Sequence, residues 1–102
     1  MIKGYILPIG TVVKVKNGEG ELMIIGRAQL FNQNGTIGYF DYSSVGYPQG
    51  IVSASEFFFF NDEDVDEIVF EGYRGEGEIA FAESWEENIS NTTYPKLKIE
   101  NA

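Results

Sequence analysis

From Val13 onward the chain alternates: Val13 and Val15 point to one side of an extended segment, Lys14 and Lys16 to the other. The preceding Leu7-Pro8-Ile9-Gly10 reads as a turn feeding this strand, because Pro fixes φ and Gly permits a sharp bend. Asn17-Gly18 comes next. Between two β-rich runs that dipeptide predicts a hairpin, since both residues tolerate positive φ. The returning strand is read as Glu21 to Leu30, where Gly26 predicts a bulge or the close approach of another backbone. A second turn at Asn32-Gln33-Asn34-Gly35 leads into a strand from Thr36 to Tyr47. Within it Tyr39 and Phe40 fall on opposite faces, so both sides of the sheet are expected to be covered there. Pro48-Gln49-Gly50 is a third turn, Ile51 to Ser55 is extended or irregular, and Phe57 to Phe60 closes the middle region.

The period then changes. Asn61 to Val65 reads as a single helical turn, with Asn61 as its cap and acids at its positive N-terminal end. Asp66 to Tyr73 returns to strand character. From Glu78 to Asn88 the spacing of Ile79, Ala82, Trp85 and Ile89 is helical, with Phe81 and Trp85 as an i,i+4 pair. In the tail, Leu97 and Ile99 alternate with Lys96 and Lys98. The expected fold is mainly β (α+β): a small, strongly curved antiparallel sheet or barrel-like roll of about five strands, with one C-terminal helix. One domain spans residues 1–90, and the tail 91–102 is either an edge strand or disordered. Trp85 is expected to be at least half buried against the sheet.

Composition narrows the chemistry. The 102 residues contain no His and no Cys, which removes Ser-His-Asp and Cys-His catalysis, thiolate zinc sites and disulfides. At 43% hydrophobic and 15% aromatic, the chain has enough apolar surface to fold despite a net charge of −9. That charge is local: residues 56–87 hold twelve acids and a single base, Arg74. Such a field repels phosphate, so nucleic acid and anionic membrane are poor partners, whereas a basic protein surface is a good one. The longest apolar runs, Leu22 to Ile25 and Phe57 to Phe60, are four residues against the ~20 a membrane span needs. The first residues offer Lys3 but no apolar h-region, so no signal peptide is read and a cytoplasmic location is expected.

No motif points to catalysis. Asp62 to Glu67 lacks the oxygen spacing, central Gly and closing Glu of a calcium loop. Carboxylate pairs arise by chance in so acidic a stretch, and Gly72-x-x-Gly75-x-Gly77 has the wrong order for a phosphate cradle. No catalytic, cofactor-binding or metal-binding residue is assigned, and no cofactor is expected. Two surfaces compete as a docking site: the acids Asp62, Glu63, Asp64, Asp66 and Glu67, and an aromatic edge of Phe57, Phe59 and Tyr47. In an extended run Phe57 and Phe59 share one face and Phe58 and Phe60 the other. Buried aromatics supply affinity and flanking charge supplies steering, so the aromatic edge is expected to anchor a partner. Arg27 and Arg74 are lone bases expected to pair with carboxylates at the surface, Glu71 and Asp41 among them, unless Arg27 faces the partner.

Four ordered blocks carry a resemblance: Leu7 to Lys14 (LPIGTVVK), Leu22 to Arg27 (LMIIGR), Tyr47-Pro48-x-Gly50, and Phe60 to Tyr73 (FNDEDVDEIVFEGY). Over about residues 5–90 the chain resembles the bacterial domain-of-unknown-function family numbered forty-one seventy-six. That family occurs in Gram-positive bacteria, in gene clusters for type VII secretion and its LXG polymorphic toxins. The resemblance implies a non-enzymatic cytosolic protein-binding domain, a chaperone or targeting partner of an exported LXG toxin that offers a basic or apolar docking surface. An immunity protein that inhibits a cognate toxin, or a structural accessory domain, suits the same composition. The resemblance transfers no catalytic residues and does not extend beyond Asn91.

Overall fold

The computed structural model describes residues 6–99; Lys3 and the end of the tail, residues 100–102, lie outside them. Seven strands precede one helix: β1 (Val12–Val15), β2 (Glu21–Arg27), β3 (Leu30–Gln33), β4 (Thr36–Tyr39), β5 (Tyr42–Tyr47), β6 (Phe58–Phe60), β7 (Val65–Phe70) and α1 (Glu76–Ser90). A 3-10 turn, Asp62–Asp64, separates β6 from β7. Five strands form one antiparallel sheet in the order β6-β5-β2-β1-β7, and β3 and β4 form a separate hairpin. The expected α+β class, antiparallel pairing and single C-terminal helix all hold. The sheet is an open one, not a closed barrel.

Its curvature follows from one short connection. A flat five-stranded sheet would hold its edges about 19 Å apart, four spacings of ~4.8 Å. Yet only Asn61 to Asp64 join β6 at one edge to β7 at the other, and three of those four residues coil at about 2 Å rise each. The sheet must curl to bring its edges within that reach. The core lies inside the curl, built on Leu7, Val13, Ile24, Tyr42 and Phe60. Helix α1 packs onto it through Ala82, which is buried, and Trp85, which is more than half buried as expected. Among the described residues no helix is long and apolar enough to cross a membrane.

Two strand readings are corrected. The segment Glu21 to Leu30 is not continuous: β2 ends at Arg27, Ala28 takes a left-handed φ of 55°, and the chain turns into β3. Likewise Thr36 to Tyr47 breaks at Phe40-Asp41, where Asp41 is held by long-range hydrogen bonds rather than by a ladder. Between β3 and β4, Asn34-Gly35 is a two-residue turn with both φ positive, at 53° and 94°. The Gly26 reading holds for the bulge, whereas what comes close to Gly26 is the Ser43 side chain and not another backbone. The β2–β5 register shifts between Ile24 and Gly26, and a Cβ on Gly26 would meet Ser43 Oγ at 2.4 Å. Tyr39 and Phe40 are both buried, and they line different concavities, one beneath α1 and one against the Phe57 to Phe60 run.

The described part of the tail lies along β4. Tyr39 N–H donates to Pro95 O (3.0 Å), Leu97 N–H donates to Tyr39 O (2.8 Å), and Leu97 is buried. Gly38 makes this approach possible, since a Cβ there would meet Pro95 O at 2.4 Å.

Candidate functional site

The four phenylalanines have four different fates. Phe60 is 1% exposed and its ring lies 5.3 Å from that of Tyr42, in the core. Phe59, half-buried, packs between Phe31 (4.6 Å) and Phe40 (5.8 Å). Phe57 is also half-buried and lines the same apolar concavity, of about 350 Å³. Phe58 is 50% exposed. It shares a face with Phe60 by alternation and pairs with Ser44, but it lies on β6, a terminal strand, with no described strand on its outer side.

Phe58 stands where three depressions meet. One is the concavity it shares with Phe57 and Phe59. A second, about 360 Å³, is lined with it by Tyr47, Glu19 and Glu21. A third, about 200 Å³, adds Val52 and Glu56. Tyr47, Ile51 and Val52 are also exposed. The loops set this arrangement. The five residues Lys16 to Gly20 join β1 to β2 with positive φ at Asn17 and Gly20, and they carry Glu19 to the rim. The result is an apolar surface with an acidic margin of Glu19, Glu21 and Glu56. Thus Tyr47 joins Phe58, while Phe57 and Phe59 contribute only the floor of one neighbouring depression.

Most of the acids expected to dock a partner are engaged within the fold. Asp62 Oδ1 accepts a hydrogen bond from the buried Tyr42 hydroxyl (2.7 Å), and Asp62 N–H donates to Asp41 Oδ2 (2.9 Å). Burial pushes the Tyr42 phenol far above its ordinary pKa, so it acts as a neutral donor. Asp64 accepts from Asn61 N–H (2.9 Å). Glu63 pairs with Lys96 at 3.0 Å, and Lys96 also reaches Asp41 at 3.3 Å. Burial alone would raise the Glu63 carboxyl. Hydrogen bonds from its own backbone and from Lys96 outweigh that and hold it below its usual value. Glu67 lies 3.9 Å from Lys14 on β1, and Asp66 is exposed. Asp66 and Glu67 lie on β7, the terminal strand at the other end of the strand order from β6.

The arginines do pair with carboxylates, but in partly buried positions and not all with the expected partners. Arg27 Nη1 donates to Glu78 Oε2 at 2.6 Å, its side chain is only 9% exposed, and its guanidinium stacks 4.0 Å over the Phe81 ring. Arg74 takes Glu71 (2.5 Å) and lies 3.7 Å from Glu78. This clasp ties α1 to β2 and the N-terminal segment, since Arg27 and Arg74 also donate to Leu7 O and Ile6 O. Arg27 is therefore positioned as a clasp between elements.

Sequence reasoning missed Asn61 as more than a cap. It is 1% exposed; its Oδ1 accepts from Asp41 N–H (2.9 Å) and its Nδ2 donates to Leu97 O (2.7 Å). It also missed Phe58, hidden in a run of four identical residues. No local signal separates it from its neighbours.

An open antiparallel sheet, one helix and an apolar surface with acidic margins define a small α+β domain. Residues 6–81 match the family model described as Domain of unknown function (DUF4176), and the chain belongs to that family. No curated protein and no solved structure matches it.

Proposed function

We propose that this chain is a non-catalytic protein-binding domain whose partner docks on the surface around Phe58. The observation that carries the reading is a half-exposed aromatic ring at the junction of three depressions, with Tyr47 and Val52 around it and Glu19, Glu21 and Glu56 on its margin. A central aromatic anchor within a polar rim is the usual anatomy of an interface hot spot. The acidic rim favours a partner whose contact surface is basic as well as apolar. The finer proposal, which is what the resemblance implies, is a cytosolic chaperone or targeting partner of a type VII-secreted LXG toxin.

The test is co-expression with an LXG toxin from the host genome, followed by size-exclusion chromatography and a toxicity assay. A stable complex lost in Phe58→Ser, with the toxin still active while bound, is the expected result. Inhibition of the toxin would identify an immunity protein instead. No complex with any LXG toxin or other protein of the host would overturn the protein-binding reading.

A further inference from the structure

A second surface lies on β7, the other terminal strand of the curled sheet. β7 is the terminal strand, paired with β1 on one side and, among the described residues, with no strand on the other. An edge of this kind presents unpaired backbone donors and acceptors to any extended segment that fits. Natural edges are blunted by charge, bulges and brevity. β7 carries two of these devices: Asp66 and Glu67 on the strand, and register shifts opposite Val12/Val13 and Lys14/Val15.

The blunting is incomplete. Val69 is exposed, Phe70 is 63% exposed, and Tyr73, three residues on, is 86% exposed. A purely protected edge has no use for three large apolar side chains in water. The acids also discriminate between occupants. In full-length antiparallel pairing with the β7 of a second copy, Asp66 falls opposite Val69 and Glu67 opposite Ile68, so neither acid gains an opposite charge there. Against Lys or Arg they meet opposite charge.

We propose that the edge of β7 that no described strand pairs is a second docking surface, which takes up an extended segment bearing both basic and apolar residues as a sixth strand of the sheet. Backbone hydrogen bonds hold the segment, Val69 and Phe70 pack on its apolar side chains, and Asp66 and Glu67 select its basic ones.

The test uses the full chain and two blocked synthetic peptides. One alternates Lys and Val over six residues; the other has the same charge but Pro at every second position, so that it cannot form a ladder. Backbone amide exchange is measured with each. The expected result is slowed exchange within residues 65–70 for the first peptide only, with affinity at least about tenfold above the Pro peptide. Phe70→Lys, which adds an edge lysine at an exposed position, should weaken binding about tenfold, while Phe58→Ser leaves it unchanged. That last arm separates this inference from the proposed function. Equal binding of both peptides would reduce the effect to charge alone and overturn the proposal. Protection around Phe58 instead of β7 would also overturn it. So would concentration-dependent self-association that protects β6 and β7 amides without peptide, because the occupant would then be a second copy.

Discussion

Phe57 to Phe60 and Asp62 to Glu67 are near neighbours in the chain, yet the structure uses them in opposite ways. The aromatic run looks like core, and one of its rings, Phe58, is left half in water. The acidic run looks like a solvated face, and Asp62, Glu63 and Asp64 are bonded into the junction of 3-10 turn, tail and β5. Residue type is therefore a poor guide to availability. What decides is whether a partner lies opposite: Phe60 meets Tyr42, Asp62 meets Tyr42 from the other end, and Phe58 stands half in water on a terminal strand.

The sharpest way to break this comparison lies within the run itself. Phe60→Ala should cost about 4 kcal/mol in urea denaturation, as expected for a fully buried aromatic, whereas Phe58→Ser should stay within about 0.5 kcal/mol. Similar losses for the two would mean that Phe58 is structural after all. Asn61→Ala comes next, at about 3 kcal/mol, since it strands the Asp41 amide and the Leu97 carbonyl in the interior. A loss below about 1 kcal/mol would show that water replaces both bonds.

Asp62→Ala removes the acceptor of a buried phenol and should cost about 1–2 kcal/mol by the same denaturation. Asp66→Asn, at an exposed carboxylate, should change stability by less than about 0.5 kcal/mol. If the two variants behave alike, the division between engaged and free acids fails.

The smallest effect is on pH. Glu71, held low by the hydrogen bond and charge of Arg74, and Glu63, held low by hydrogen bonds and Lys96 despite its burial, both have folded pKa values below their unfolded ones. Their contribution is therefore present above the ordinary carboxylate range and lost as pH falls through it. The midpoint of thermal unfolding should fall on acidification from pH 6 to pH 3, and Glu71→Gln should flatten that dependence. An unchanged slope in the variant would assign the acid sensitivity to other carboxylates.

Much of the architecture was legible in the sequence. The β1–β2 hairpin, the bulge at Gly26, the single turn after Asn61, the helix and the half-buried Trp85 each depend on residues within a few positions, where φ preferences, capping and periodicity act. The breaks at Ala28 and Phe40-Asp41 were not legible, because continuous β propensity hid a change of sheet.

The sequence by itself determined an antiparallel α+β domain with a strongly acidic second half and a chemistry confined to carboxylates, hydroxyls, Lys and Arg. Only the tertiary structure decided which phenylalanine is left in water, which acids are free, and that Arg27 clasps Glu78. Those outcomes rest on pairs far apart in the chain: Asp41 and Asn61 at 20 positions, Asn61 and Leu97 at 36, Arg27 and Glu78 at 51. Burial and hydrogen bonding at such separations follow from how the sheet curls, and no local pattern of residues encodes them.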